Sequence, residues 1–390
     1  MRILYISNKS IYPKIDGGCV AMHNFLNCLI ETKVTIKHFS LSTHKHPFSK
    51  DNYPEEITKK TSPEGLYIDT RVKLKSAFLN LFSKRSYNVK RFYSKEVEKT
   101  LIEHLQGNNY DKIIVETIFL APYLKIFRKY SKAKVIVRSH NIEFKIWEKL
   151  SANENKTLKK WYLSKLAKNL KREEIHFLSK VDNILTLSID DEKELKKLGI
   201  KTKIDSIPVA ITTHQSNKNY HNSNFYHIGA MNWKPNIEAV EILTKSIFPA
   251  ITNKIEDAKL ILAGSFMEKM EDENGIIYKG FVEDINEFIS EQGILLAPIL
   301  SGSGVRIKIL ESMACGTPVI TTTLGAEGIS AKSGKVLYIA KNQKEFVNFA
   351  IELASSFEKR KEIGNNARQF ILEKHNKTSI IKELSGILEK

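Results

Sequence analysis

The sequence predicts an α/β fold of two domains with mostly parallel sheets, on three observations. At 390 residues the chain exceeds the usual size of one domain, and each half is long enough to bury its own core. Short apolar runs of strand length alternate with apolar residues at helical spacing through both halves, the pattern of repeated βα units. Polar residues and glycines collect where several of those runs end, which in a parallel sheet is where ligands bind. The two domains are expected to face one another across a cleft.

The opening residues MRILYIS read as a first strand, because one basic residue and a short apolar run fall well short of a signal-peptide core. Asp16, Gly17 and Gly18 then precede Ala21, Phe25, Leu29 and Ile30 at helical spacing, so this turn is either a ligand loop or a plain turn. Residues 34–41 form a second strand, and 47–75 are polar and irregular. Leu74, Phe78, Leu81, Phe82, Val89, Phe92, Val97 and Leu101 predict helices, set among Lys73, Lys75, Lys84, Arg85, Lys90, Arg91 and Lys95. Such a basic amphipathic stretch is either a solvated face or a surface for an anionic membrane or acidic acceptor.

Residues 112–115 and 134–137 read as buried strands around a short helix at 120–130, and Arg138 to Glu143, with His140 among them, follows the second strand. That placement makes His140 a candidate functional residue, against the alternative of a satisfied structural histidine. A long helix is predicted over 155–180, with Leu158, Tyr162, Leu166 and Leu170 on one side and Lys156, Lys160, Lys168 and Arg172 opposite, a second basic face. A strand at 181–187, a helix capped by Ser188 and a strand at 204–209 complete this half.

Residues 210–224 are polar and aperiodic, so the boundary is placed there, giving domains 1–208 and 209–390, with the last helix expected to pack back on the N-terminal domain. Strands follow at 225–228, 260–262 and 276–278, with helices near 237–244 and 284–289. The richest stretch begins with the strand at 293–300. Ser301, Gly302, Ser303 and Gly304 break it, and from Val305 the residues Ile309, Leu310, Met313 and Ala314 recur at helical spacing until Gly316, Thr317 and Pro318. Val319 and Ile320 start the next strand.

A tight turn feeding a helix leaves unpaired N–H groups at the positive end of the helix dipole, an anion site. Arg306 and Lys308 add two cations where they oppose the dipole, which implies a negative ligand. Glu311 lies three residues after Lys308 and seven after Gly304, near one helix face, where it can accept from both hydroxyls of a ribose or form a surface pair with Lys308.

Hydrophobic content of 42% and charged content of 27% are ordinary for a globular protein, whereas a net charge of +17 favours anionic partners. Cys19, Cys28 and Cys315 support neither a disulfide framework nor a zinc knuckle, and no run approaches a membrane span. A reduced, cytoplasmic setting is expected.

The segments FYHIGAMNWKPNIEAVEIL, LILAG, GFVEDI and above all GSGVRIKILESMACGTPVITTTLGAEGI together resemble the C-terminal half of a group 1 glycosyltransferase of family 4, with the GT-B fold of two Rossmann-like domains. The N-terminal half is similar more loosely, through Asp16 to Gly18, RSHNIE at 138–143, and Ser188 with Asp191. The resemblance implies an acceptor-side N-terminal domain and a nucleotide-sugar-binding C-terminal domain. It implies that Glu311, the second glutamate of the family's glutamate-x7-glutamate motif, holds the donor ribose, that Arg306 and Lys308 meet the donor diphosphate, and that the amides of Gly302, Ser303 and Gly304 sit close by. Val282 would lie by the nucleobase, Gly17 and Gly18 would close over the donor, and His140 would approach the transferred sugar or the acceptor.

Two positions depart from the family pattern. Ser303 stands eight residues before Glu311 where the family has its first glutamate, and Lys234 stands in for an altered basic pair.

The implied activity is metal-independent, retaining transfer of a glycosyl group, a hexosyl group expected, from a nucleoside-diphosphate sugar, with no further cofactor. The chain has no D-x-D motif. Stabilising charge on the leaving diphosphate lowers the barrier, and a diphosphate oxygen can take the acceptor's proton. A glycan, lipid-linked or protein acceptor is implied, in bacterial surface polysaccharide or glycoconjugate synthesis, with peripheral contact at the inner membrane face and no nucleic-acid partner. The alternatives are a GT-B sugar-nucleotide epimerase and a non-enzymatic anion-binding protein. A dinucleotide oxidoreductase fits less well, because the G-x-G at Gly302 and Gly304 lacks its third glycine.

Overall fold

The computed structural model describes residues 1–80, 82–83, 85–213, 218–267, 270–302 and 304–390. Leu81, Lys84, residues 214–217 and Ser303, all read above from the sequence, lie outside the described residues, as do the side chains of Leu74 and Phe78. The chain forms two compact units. The first comprises residues 1–14, 18–208 and 381–390, and the second 15–17 and 209–380.

The first unit is built on a seven-stranded sheet of β1 (Arg2–Ser7), β2 (Thr35–Ser42), β3 (Glu64–Tyr67), β4 (Lys112–Glu116), β5 (Lys134–Ser139), β6 (Asn183–Thr186) and β7 (Lys203–Ser206) in the order β3-β2-β1-β4-β5-β6-β7. The named strands pair in parallel. Helices cover a parallel sheet on both faces, which is why β1, β4 and β5 read as nearly unbroken apolar runs. One face packs Leu4, Ile6, Phe39, Leu41, Ile113 and Val135 against helices carrying Val97, Leu101, Phe127 and Leu170.

Two expectations for this unit are corrected. Residues 47–75 are not irregular throughout, since they hold the helix Glu55–Thr61 and the edge strand β3. β3 was illegible because its residues EGLY are few and half exposed, with no apolar alternation. The long helix spans Thr157–Leu178, but Leu158, expected on its inward side, is 84% exposed. The buried residues of the helix begin at Leu166, while its first turns touch the unit through Tyr162 and through Ser151 Oγ, which donates to Lys160 O at 3.1 Å.

The second unit carries β8 (Phe225–Ile228), β9 (Leu260–Ala263), β10 (Ile276–Gly280), β11 (Ile294–Ala297), β12 (Val319–Thr322) and β13 (Tyr338–Ala340), in the order β10-β9-β8-β11-β12-β13 and again parallel. Its core joins Phe225, Leu260, Leu262, Leu296 and Ile320 to Leu243, Phe248, Phe346 and Ile363. Strand order reverses between β1 and β4 in one sheet and between β8 and β11 in the other. A parallel sheet leaves a crevice outside the strand ends at such a reversal. Both clusters of polar side chains described next stand there.

Candidate functional site

In the second unit the helix Ile307–Ala314 follows β11 through the loop of Gly302 and Gly304, whose φ values of 89° and 84° are left-handed and suit glycine. Its inward residues Ile307, Ile309, Leu310 and Met313 are buried, and the Tyr226 hydroxyl on β8 donates to Ser312 Oγ at 2.7 Å, which fixes the helix over the reversal. Arg306 stands at the N-cap without a side-chain cap, and the first turn has no acid. The positive end of the dipole and two cations therefore coincide.

Lys308 is half-buried in a specific cradle. Its Nζ donates to Asn236 Oδ1 at 2.8 Å and lies 3.2 Å from His227 Nε2. His227 Nδ1 lies 2.7 Å from the Leu296 carbonyl, which only accepts, so Nδ1 carries the proton and Nε2 presents its lone pair to the lysine. Asn236 is oriented likewise, its Nδ2 donating to Ala230 O at 2.9 Å. Burial, and Lys308 beside it, hold the His227 imidazole well below its ordinary range, so it is neutral. Burial, with Arg306 adding like charge, lowers Lys308 to about 7.

Gly229 completes the cradle. A Cβ there would lie 2.6 Å from Asn236 Nδ2 and 2.7 Å from Lys308 Nζ. Gly229→Ala is therefore expected to push Lys308 out of place and to weaken nucleotide binding at least tenfold, measured by calorimetric titration. Unchanged affinity would show that the cradle does not set the lysine's position.

The remaining predicted residues of this unit are less concentrated. Glu311 is part-buried, on the same helix one turn past Lys308. Val282 lies in the loop after β10, two strands from β8. Lys234 is largely exposed and pairs with Glu238 at 3.2 Å, and Glu238 Oε2 also accepts from Ser301 Oγ. Trp233, Phe266, Phe281 and Leu300 are exposed in the loops after β8, β9, β10 and β11, an apolar rim along the carboxyl edge of the sheet.

In the first unit His140 belongs to a buried ionic cluster. Glu116, the last residue of β4, accepts from Tyr5 Oη at 2.5 Å, and both its oxygens lie 3.2 Å from Arg138 Nη1. Arg138 also donates to Ala21 O at 3.3 Å and lies over the Phe25 ring at 4.4 Å. Glu116 is 0% and Arg138 1% exposed. Burial alone would raise the Glu116 carboxyl, but Arg138 and His140 outweigh it and hold the group at about 2. His140 Nε2 stands between Glu116 Oε2, which only accepts, and Arg138 Nη1 at 3.0 Å, which only donates, so the ring is tied to both members of the ion pair. Burial lowers the His140 pKa despite that carboxylate.

The loop carrying His140 is anchored in turn. Glu174 accepts from the Glu143 and Phe144 amides at 3.0 and 2.9 Å, capping the helix Glu143–Ala152. Burial raises Glu143 to about 7, and burial with Glu143 nearby raises Glu174 to about 8. Gly17 and Gly18 open the helix Gly17–Glu31 that follows β1.

Sequence reading missed His227, Asn236, Gly229 and Glu116. Only Glu116 carried a usable signal, an acid ending an apolar strand run. His227 is hidden inside such a run, and Asn236 acts through a contact 72 residues away in sequence.

Residues 222–356 match the family model of group 1 glycosyl transferases. Over 399 aligned residues, and 98% of both chains, the protein is 24% identical to an uncharacterized 44.6 kDa protein in the cps region of Klebsiella pneumoniae. Among solved structures, a mutant of S. aureus TarM in complex with fondaparinux, α-GlcNAc-glycerol and UDP is similar with a TM-score of 0.69 at 12% identity, over 100% of both chains. Anabaena HepE in complex with UDP-glucose is similar at 0.65 and 14% identity, over 100% of this chain and 99% of that one. At such identities the structures establish a shared fold.

Proposed function

We propose that the protein is a glycosyltransferase of the GT-B type, with its group 1 match at residues 222–356, that moves a hexosyl group from a nucleoside-diphosphate sugar to a glycan, lipid-linked or protein acceptor with retention at the anomeric carbon. Placement in family 4 belongs to this reading. The observation that carries it is Lys308, held by His227, Asn236 and Gly229 at the acid-free start of a helix, with Arg306 beside it. Such a group of fixed donors stabilises charge as it develops on a leaving diphosphate, and needs no metal to do so.

Glu311 one turn further on is suited to the ribose hydroxyls, the exposed Trp233 and Phe281 and the part-buried Val282 to the base, and the glycine loop to the phosphates. The second unit thus holds the donor. The first supplies the acceptor side, where the His140 imidazole can hydrogen-bond a hydroxyl of the sugar or the acceptor. A relative in a cps region supports a role in surface polysaccharide synthesis, and a lipid-linked acceptor would place the enzyme on the cytoplasmic side, at the inner membrane face. HepE with UDP-glucose and TarM with UDP make UDP-sugars the first donors to test.

The test is thermal stabilisation by a panel of nucleotide sugars, since a ligand of the native state raises its melting temperature. One UDP-sugar is expected to raise it by several degrees at pH 7. The shift should shrink toward pH 9, because Lys308 titrates near 7 and must take up a proton to meet the diphosphate. Glu311→Ala should abolish it. No stabilisation by any nucleotide sugar would sink the donor site.

A further inference from the structure

Fifteen lysines and arginines, and no acid, lie in two stretches of the sequence, residues 70–95 and 155–172. Against a net charge of +17 for the whole chain, the remainder is nearly neutral. The fold brings the two stretches together on the first unit. Asn169 Nδ2 donates to Ser83 O at 3.1 Å, the Ser86 amide donates to Glu173 Oε2 at 2.6 Å, and Tyr87 packs with Leu166 and Tyr162.

This basic face is also apolar. Leu158 is 84%, Phe82 81%, Leu79 69% and Trp161 57% exposed. Leu158, Trp161, Lys165, Lys168 and Arg172 recur at helical spacing, so they share one side of the helix Thr157–Leu178. Phe82, Trp161, Lys165, Lys168 and Arg172 line a groove of about 510 Å³, and Lys165 Nζ lies 5.7 Å from the centre of the Trp161 ring. The alternation expected from the sequence, apolar side in and basic side out, thus fails at the start of this helix, where both kinds of side chain face water together.

From this juxtaposition we infer that the face formed by Leu79, Phe82 and the Leu158 to Arg172 side of the helix Thr157–Leu178 docks on a bilayer containing anionic lipid. The charge is complementary to phosphate headgroups, and long cationic side chains can extend to them while aromatic and aliphatic groups enter the boundary below. A polyanion such as nucleic acid or an acidic glycan would use the cations but leave Leu79, Phe82 and Leu158 in water, so the apolar component decides for the bilayer. The inference deepens the reading of a lipid-linked acceptor and rests on it for its purpose, but its test needs no turnover.

The full chain is floated with vesicles of phosphatidylcholine alone and of phosphatidylcholine with phosphatidylglycerol. The wild type should bind the second and not the first. A Lys165→Gln, Lys168→Gln, Arg172→Gln variant should lose about fivefold in partitioning per charge removed. Phe82→Ser with Trp161→Ser should lose at least tenfold, while heparin binding by that double variant stays unchanged. Nucleotide-sugar stabilisation measured on the same variants reports folding and the donor site separately, and should match wild type. Equal binding to both vesicle types, or wild-type vesicle binding by the Phe82 and Trp161 variant, overturns the proposal. So does heparin binding without vesicle binding, which would identify a polyanion as the partner.

Discussion

Lys308→Ala is expected to lower kcat/KM by roughly 10²–10³, the usual effect of removing one preorganised donor to a developing negative charge, with the far-ultraviolet circular dichroism unchanged. Lys308 is the group whose position the neighbouring residues define most fully, through Asn236 Oδ1, His227 Nε2 and the bare face of Gly229. Arginine at the same place should not rescue activity, because its planar fork cannot occupy a cradle shaped around a single Nζ. Activity within threefold of wild type would show that the diphosphate is held elsewhere. Stability also carries a sign. The folded pKa of about 7 lies below the ordinary lysine value, so the unfolded chain binds more protons between pH 7 and 10.5. The unliganded protein thus bears the full penalty below pH 7 and sheds it as pH rises through that window.

Glu116→Ala is expected to cost about 3–5 kcal/mol in the unfolding of the first unit, read from denaturant titration followed by intrinsic fluorescence. The size comes from what is left behind: Arg138 is 1% exposed, and without the carboxylate its charge is left beside neutral groups, the Ala21 carbonyl, the Phe25 ring and the His140 imidazole. Glu116→Gln keeps one acceptor and should cost less. A loss below about 1 kcal/mol would mean that water or another group replaces the carboxylate. In the wild type this ion's contribution is present above the ordinary glutamate pKa and is lost only as pH falls toward 2.

The strands β1, β4, β5, β8, β9, β11 and β12 were legible because each is buried in a parallel sheet and reads as a short apolar run. The edge strand β3 and the first turns of the helix Thr157–Leu178 were not, for opposite reasons. EGLY lacks the apolar run, while Leu158 fits an apolar stripe that packing never reaches. At the site, Arg306, Lys308 and Glu311 stood out as charges in a helix start, a local pattern. His227, Asn236 and Glu116 take their meaning from partners between 22 and 111 residues away in sequence, and periodicity carries no such information.

The neutral His227 sets which anions the Lys308 cradle can retain. An imidazole that accepts from Lys308, rather than a carboxylate that would neutralise it, leaves the amine's pKa lowered by burial and Arg306 to about 7. Without a ligand the cradle is therefore a weak trap for stray anions. An anion must carry enough negative charge to draw a proton from water onto the amine, a threshold that a diphosphate meets more readily than a chloride or a single ester, and in the proposed reaction each departure of the spent nucleotide would hand that proton back.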